Sequence, residues 1–223
     1  MPRAGLSHDA VVRLALEVVD DGGATGFTDL TLAKVAAKAG VATPSLYKHV
    51  GSLADLRREV ALIAVQEVTA AATSATVGRA GSDALRALAT AWRAYAHAHP
   101  GRYASTQVGP DPEDPADERL REAAAESVRV VGAVLHGFGL PDERLIDAIR
   151  AVRAGFHGFF VLELGGGFRM REDVDQSFTV LLDMLVAGVT ALALPDGAPG
   201  GAAGAAPGAG LDRLDHDTAG SHR

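Results

Sequence analysis

The sequence predicts an all-α protein, and three observations carry that prediction. Alternating apolar–polar runs of β-branched residues do not occur, so the period-two signature of strands is missing. Ala- and Leu-rich stretches with apolar residues three to four apart recur from Ser7 to Leu194. Ser, Thr and Pro at the starts of these stretches, and Gly at their ends, divide them into helix-length pieces.

The first helix is expected after Ser7, a good N-cap, with Ala10, Val11, Leu14 and Val18 inward, and it should end near Asp21 before Gly22-Gly23. A short second helix spans about Thr31 to Ala39, with Leu32, Val35 and Ala36 on its apolar side. Gly40 stops it, because glycine enters the left-handed region without a Cβ clash. Ala36 and Ala39 are small enough to let a third helix approach, and Val41 and Leu46 should plug the corner between the two. That third helix begins at Thr43-Pro44, where the missing proline N–H costs nothing. A long helix follows from about Ser52 to beyond Ala72. Later helices are expected at about 82–98, closed by Pro100, then at 101–107, 116–137, 142–164 and 173–194. Val108–Pro115, rich in Pro, Gly and Asp, reads as a loop. No internal repeat is visible. From 195 to 223 the composition falls to Gly, Ala, Pro and polar residues, which cannot bury enough apolar surface to offset ordering entropy, so a disordered tail is expected. The resulting division is a head over 1–52, a helical body over 53–194 and the tail.

Apolar residues make up 48% and charged residues 22% of the chain, the balance of a globular protein. Aromatics are only 5%, so the core must rest mostly on Ala, Val and Leu. Without cysteine there is no disulfide framework, thiolate metal site or cysteine nucleophile. Met1-Pro2-Arg3-Ala4-Gly5 lacks the apolar stretch of a secretory signal, and no run is read as reaching the roughly 18 to 20 apolar residues of a bilayer span. A soluble, cytoplasmic protein is expected. The net charge is −7, yet residues 31–58 hold Lys34, Lys38, Lys48, Arg57 and Arg58 against Asp55 alone. That window is +4 and the remainder −11. A cationic patch on an acidic body suits a molecule that meets a polyanion with one end.

Leu30–Val50 is the informative stretch: two short helices meeting at a tight turn. The outward side of the second carries Thr43, Ser45, Tyr47, Lys48 and His49, donors and a cation suited to base edges and phosphates in a DNA major groove. Lys34 adds charge nearby, and free helix N–H groups at Thr31 and Thr43 suit phosphates. A Thr-led helix, an Ala-Gly-Val turn and a short helix carrying Leu46-Tyr47-Lys48-His49 resemble the DNA-binding signature of the TetR family over roughly residues 8–60. The resemblance implies that Tyr47 and His49 grip phosphates. It places Thr43, Pro44, Ser45 and Lys48 at the groove floor or edge, and has Thr31 cap its helix beside a phosphate. Two positions depart from the family. Val50 replaces an aromatic, and Leu53 replaces a lysine whose phosphate contact Arg57 or Arg3 is expected to replace.

In the body, Trp92–Tyr103 and Ala154–Gly165 resemble a TetR C-terminal domain subtype named for a Trp-His-Gly motif; here His157-Gly158 is kept and Phe156 stands for the tryptophan. That resemblance implies effector binding and dimerisation. Large side chains facing alanines can leave a cavity, so Trp92, Tyr95, Tyr103, Phe156, His157, Phe160 and Phe178 are the candidate ligand residues. His97 and His99 point about 200° apart on a helix and cannot chelate one ion together; no metal or cofactor is expected. Gly165-Gly166-Gly167 lacks the Lys-Ser/Thr of a phosphate loop and should end a helix. No catalytic constellation stands out, so an enzyme is not expected. Ile146, Ile149, Val152 and Phe156, with Phe178, Leu181, Leu182, Leu185, Val189 and Leu192, line two apolar helices that either the core or a homodimer must bury. The sequence points to a repressor that binds a palindromic operator as a dimer and is released by a small molecule. Its rivals are a constitutive DNA binder without effector, and an enzyme or ligand carrier with a DNA-binding head.

Overall fold

A computed structural model describes residues 6–194; the tail from 195 onward and the arm with Arg3 lie outside the described residues. Among the described residues there is no strand. The α-helices are α1 (His8–Asp21), α2 (Leu32–Ala39), α3 (Leu53–Thr76), α4 (Gly81–Ala98), α5 (Pro100–Ser105), α6 (Glu118–His136), α7 (Asp142–Leu164) and α8 (Val174–Ala193). Short 3₁₀ helices cover Gly23–Thr25, Thr43–Lys48 and Pro115–Asp117.

Side-chain caps place the early helix starts. Ser7, Thr31 and Ser52 each have extended backbone and accept a hydrogen bond from the N–H three residues on. Gly40 ends α2 at φ 67°, ψ 31°, the left-handed stop that its sequence position predicts. Two details differ from expectation. The buried face of α1 is Val11, Val12, Ala15, Leu16 and Val19, with Ala10, Leu14 and Val18 only half-buried beside it. Both phases are apolar there, and packing against α2 and α3 chooses between them. The third helix is 3₁₀ rather than α: it is only 6 residues long and its proline supplies no N–H, so the tighter spiral suffices.

Two hydrophobic cores share α3. Leu56 and Val60 pack into the first with α1, α2, Leu46 and Val50. Val68 and Ala72 pack into the second with α4, α6, α7 and α8. Phe156 and Phe160 are fully buried in the second core, and Trp92 meets Phe156 edge-on at 6.1 Å. α5 bridges the halves. Arg102 binds Asp20 of α1 and, at 2.9 Å, Glu67 of α3, which also accepts from the Tyr95 hydroxyl at 2.8 Å. Gly101 is buried so tightly against α1 that a Cβ there would lie 2.6 Å from the Val19 carbonyl oxygen.

A second clamp holds the far end. Arg93 of α4 forms a two-pronged pair with Glu163 of α7, binds Asp175 of α8 at 2.7 Å and lies 4.7 Å over the Phe178 ring. Arg93 holds the Glu163 carboxyl below its ordinary value of 4.5 despite its burial, with His97 helping. A depressed carboxylate stabilises the fold above its unfolded pKa and loses that contribution as pH falls through the folded value. Glu163→Gln is therefore expected to cost about 1–3 kcal/mol near neutral pH. It should also flatten the loss of stability below about pH 4.5, read by thermal melts from pH 3 to 7.

α8 also corrects the hydropathy reading. With mean hydropathy 1.6 over its best window it is long and apolar enough to cross a membrane by length and composition. Only a thin side of it, Phe178, Leu182 and Val189, is buried in the monomer.

Candidate nucleic-acid interface and cavity

Leu46 anchors the Thr43–Lys48 helix: it is fully buried among the apolar residues of α1, α2 and α3. Val41, expected beside it in the corner, is 36% exposed, and its contribution is an N–H that donates to the Ala36 carbonyl at 3.0 Å. With Leu46 inward, Pro44, Tyr47 and Lys48 are exposed, Tyr47 at 57%, and Thr43, Ser45 and His49 are half-buried around them. Among the described residues the side chains of Thr43, Ser45, Tyr47, Lys48 and His49 make no hydrogen bond, ion pair or ring contact. Lys34 is likewise exposed on α2 and makes no ion pair, whereas the Thr31 hydroxyl oxygen is used as a cap, accepting from the Lys34 N–H at 3.2 Å.

The other cations of the basic window are committed internally. Lys38 binds Asp21 at 2.6 Å and Glu17 at 3.3 Å. Arg58 binds Asp117, Asp55 and Asp114 and ties α3 to the loop before α6. Arg57 turns inward, donating to the carbonyls of Thr28 and Leu30 at 3.0 and 3.2 Å with its guanidinium 5.9 Å over the Phe27 ring. Arg57 thus holds the α1–α2 connection, and the phosphate contact expected of it is withdrawn. Val50 and Leu53 pack on the head core, so both departures from the family pattern serve packing.

A cavity of about 350 Å³ lies in the body, bounded by α3, α4, α6 and α7 and floored by Tyr103 and the Thr106–Pro110 segment. Of the side chains expected around a ligand, Trp92 and Tyr103 are on its wall. The others are elsewhere. Tyr95 faces Glu67; Phe156, Phe160 and Phe178 fill the core; His157 sits behind the wall with Nδ1 3.3 Å from the Tyr103 hydroxyl. Burial and the nearby Arg153 charge lower the His157 pKa from 6.5, which favours the neutral ring at pH 7. The wall is mainly aliphatic, with Val65, Val68, Leu120, Val131, Ile146 and Ile149. Sequence reading missed Ile146, Arg150 and Arg153 as wall residues. Their spacing of four and three on one helix was the available signal, since it puts them on one face. Among the described residues no group of three or more His, Asp or Glu is placed to hold a metal ion.

Residues 85–185 match a family model described as the tetracyclin repressor-like C-terminal domain. The chain is 37% identical over 202 residues to the uncharacterized HTH-type transcriptional regulator Rv0681 of Mycobacterium tuberculosis, covering 84% of this chain and 88% of that protein. Among solved structures, BioQ with its double-stranded DNA operator superposes with a TM-score of 0.60 at 22% identity, over 84% of this chain and 99% of that one. A TetR variant from Acinetobacter baumannii in complex with minocycline gives 0.63 at 20% identity, over 86% and 100%.

Proposed function

The chain belongs to the TetR family of transcriptional regulators, and on that premise we propose that it represses transcription by binding a palindromic operator as a homodimer and lets go when a small molecule enters the body cavity. The carrying observation is the unpartnered polar face of Thr43–His49. Side chains without intramolecular partners, projecting from a helix pinned by one buried leucine, are available to bases and phosphates. Tyr47 and His49 grip phosphates with Lys34 adding charge, Thr31 presents its helix start to the backbone, and Thr43, Pro44, Ser45 and Lys48 lie at the groove floor or edge, where the Lys48 charge also neutralises the flanking phosphates. The fold is shared with BioQ, which is seen with its DNA operator, and with a TetR protein seen with minocycline.

Dimerisation is supported by what the monomer leaves uncovered. Ile149, Val152, Phe156, Phe178, Leu182 and Val189 are consumed by the monomer core. A different stripe is outward: Val180, Met184, Ala187 and Ala191 on α8, with Val161 and Leu162 on α7, Met184 being 67% exposed. The 180, 184, 187, 191 spacing is one helix face, and two copies meeting there would bury it. A two-fold pair would present two recognition helices to half-sites roughly 34–36 Å apart. Release follows if the ligand prefers a dimer whose helices no longer match that spacing. The cavity wall and the head–body joint share α5: Tyr103 is on the wall, and the neighbouring Gly101 and Arg102 dock on α1.

A gel-shift against the DNA flanking the protein's own gene tests this reading. One retarded complex is expected, weakened at least tenfold by Met184→Asp, with the variant sedimenting as a monomer. A Met184→Asp protein that stays dimeric, or binds the duplex equally well as a monomer, would overturn it.

A further inference from the structure

The cavity wall also carries charge of the sign opposite to the chain's net charge of −7. The chain carries 28 acidic side chains against 21 Lys and Arg, yet the cavity wall includes Arg150 and Arg153 and no Asp or Glu. Arg150 has a long, solvent-exposed pair with Asp147 at 3.4 Å, one helical turn earlier on α7. Arg153 has no carboxylate within ion-pair distance among the described residues; its hydrogen bond, at 3.3 Å, goes to the neutral side-chain amide of Gln107. Several other arginines of the body are matched with acids: Arg86 with Asp183, Arg93 with Glu163, Arg119 with Glu59. A guanidinium fork left without an acid, beside a mostly aliphatic wall, is arranged for a planar anion.

We propose that the effector is an amphipathic monocarboxylate, its carboxylate held at the rim by Arg153 with Arg150 and its apolar body lying along Val65, Val68, Leu120 and Ile149. This deepens, and rests on, the reading of the cavity as the effector site. The volume sets the size class. About 350 Å³ is at the low end of the roughly 300–1,000 Å³ of small-molecule sites, so the body is a short chain or a single ring system. Trp92 on the wall is the single tryptophan of the chain, and its fluorescence reports directly on occupancy.

Octanoate, octanamide and octylamine share one apolar body and differ in head charge. Titrated against the full-length protein at pH 7 with Trp92 emission as readout, octanoate should bind at least tenfold tighter than the other two, about 1.4 kcal/mol. The double variant Arg150→Gln/Arg153→Gln should erase that preference, and Arg150→Glu/Arg153→Glu should transfer it to octylamine. Thermal melts of each variant report folding separately. Equal binding of the three probes, no saturable binding by octanoate, or a preference that survives both variants would overturn the proposal. Gel-shifts run with the same probes separate the two layers. A neutral probe that binds and releases DNA removes the carboxylate assignment and leaves effector control standing. Octanoate that binds without altering DNA affinity leaves the anion site standing and removes effector control.

Discussion

Phe156→Ala is expected to destabilise the protein by about 3–5 kcal/mol, the cost of removing a large buried aromatic side chain. Phe156 is fully buried, packs edge-on to Trp92 and stacks on Phe160 at 6.2 Å, so its loss leaves a void between α4 and α7, which the Arg93–Glu163 clamp holds in place. A chemical denaturation curve should shift its midpoint without a matching change in slope. The same experiment separates core from cavity wall. Ile146→Ala, on an exposed side chain of the wall, should leave the midpoint nearly unchanged and alter ligand affinity instead. A small stability effect at Phe156 would mean that this ring is not the keystone of the body.

Gly101→Val is expected to be the most damaging change between head and body. A Cβ at this position would lie 2.6 Å from the Val19 carbonyl oxygen and 2.7 Å from that of Gly23, both backbone atoms that cannot rotate away. Either α5 lifts from α1 or α1 shifts together with the Thr43–Lys48 helix packed on it. Overpacking of this kind costs about 1–3 kcal/mol. Because Arg102 is the next residue, its pairs with Asp20 and Glu67 should loosen with it. The measurable result is a lowered melting temperature together with weakened operator binding, while octanoate titration of Trp92 persists. Normal operator binding by a stable Gly101→Val protein would show that α5 does not set the pose of the head.

Local chemistry was the part of this molecule most readable in the sequence. Ser7, Thr31, Ser52 and Gly40 mark helix boundaries because capping and left-handed stops depend on a few neighbouring residues. α7 spans Asp142–Leu164, the range read from its periodicity and its closing glycines. Three features depended on contacts distant in sequence and were read less well. In α1, two adjacent apolar faces compete, and only packing selects Val12 and Ala15 over Leu14 and Val18. Phe156, Phe160 and Phe178 look like ligand residues because they are large and clustered, but size also makes them the best fillers of a core short of aromatics. Arg57 lies in the basic window, yet the carbonyls of Thr28 and Leu30, 29 and 27 residues earlier, claim its guanidinium. The outward set of the Thr43–His49 helix was legible because one leucine at its centre decides which side turns in.

The salt dependence of operator affinity tests the central claim most directly, with Lys48→Ala compared to Lys38→Ala. Both remove one positive charge from the head, but Lys48 is unpaired on the exposed side of the Thr43–Lys48 helix while Lys38 is held by Glu17 and Asp21. The account predicts that Lys48→Ala reduces the slope of log affinity against log salt by about 1 and that Lys38→Ala leaves it unchanged. Equal slopes for Lys48→Ala and the wild-type protein, or a loss confined to Lys38→Ala, would contradict it.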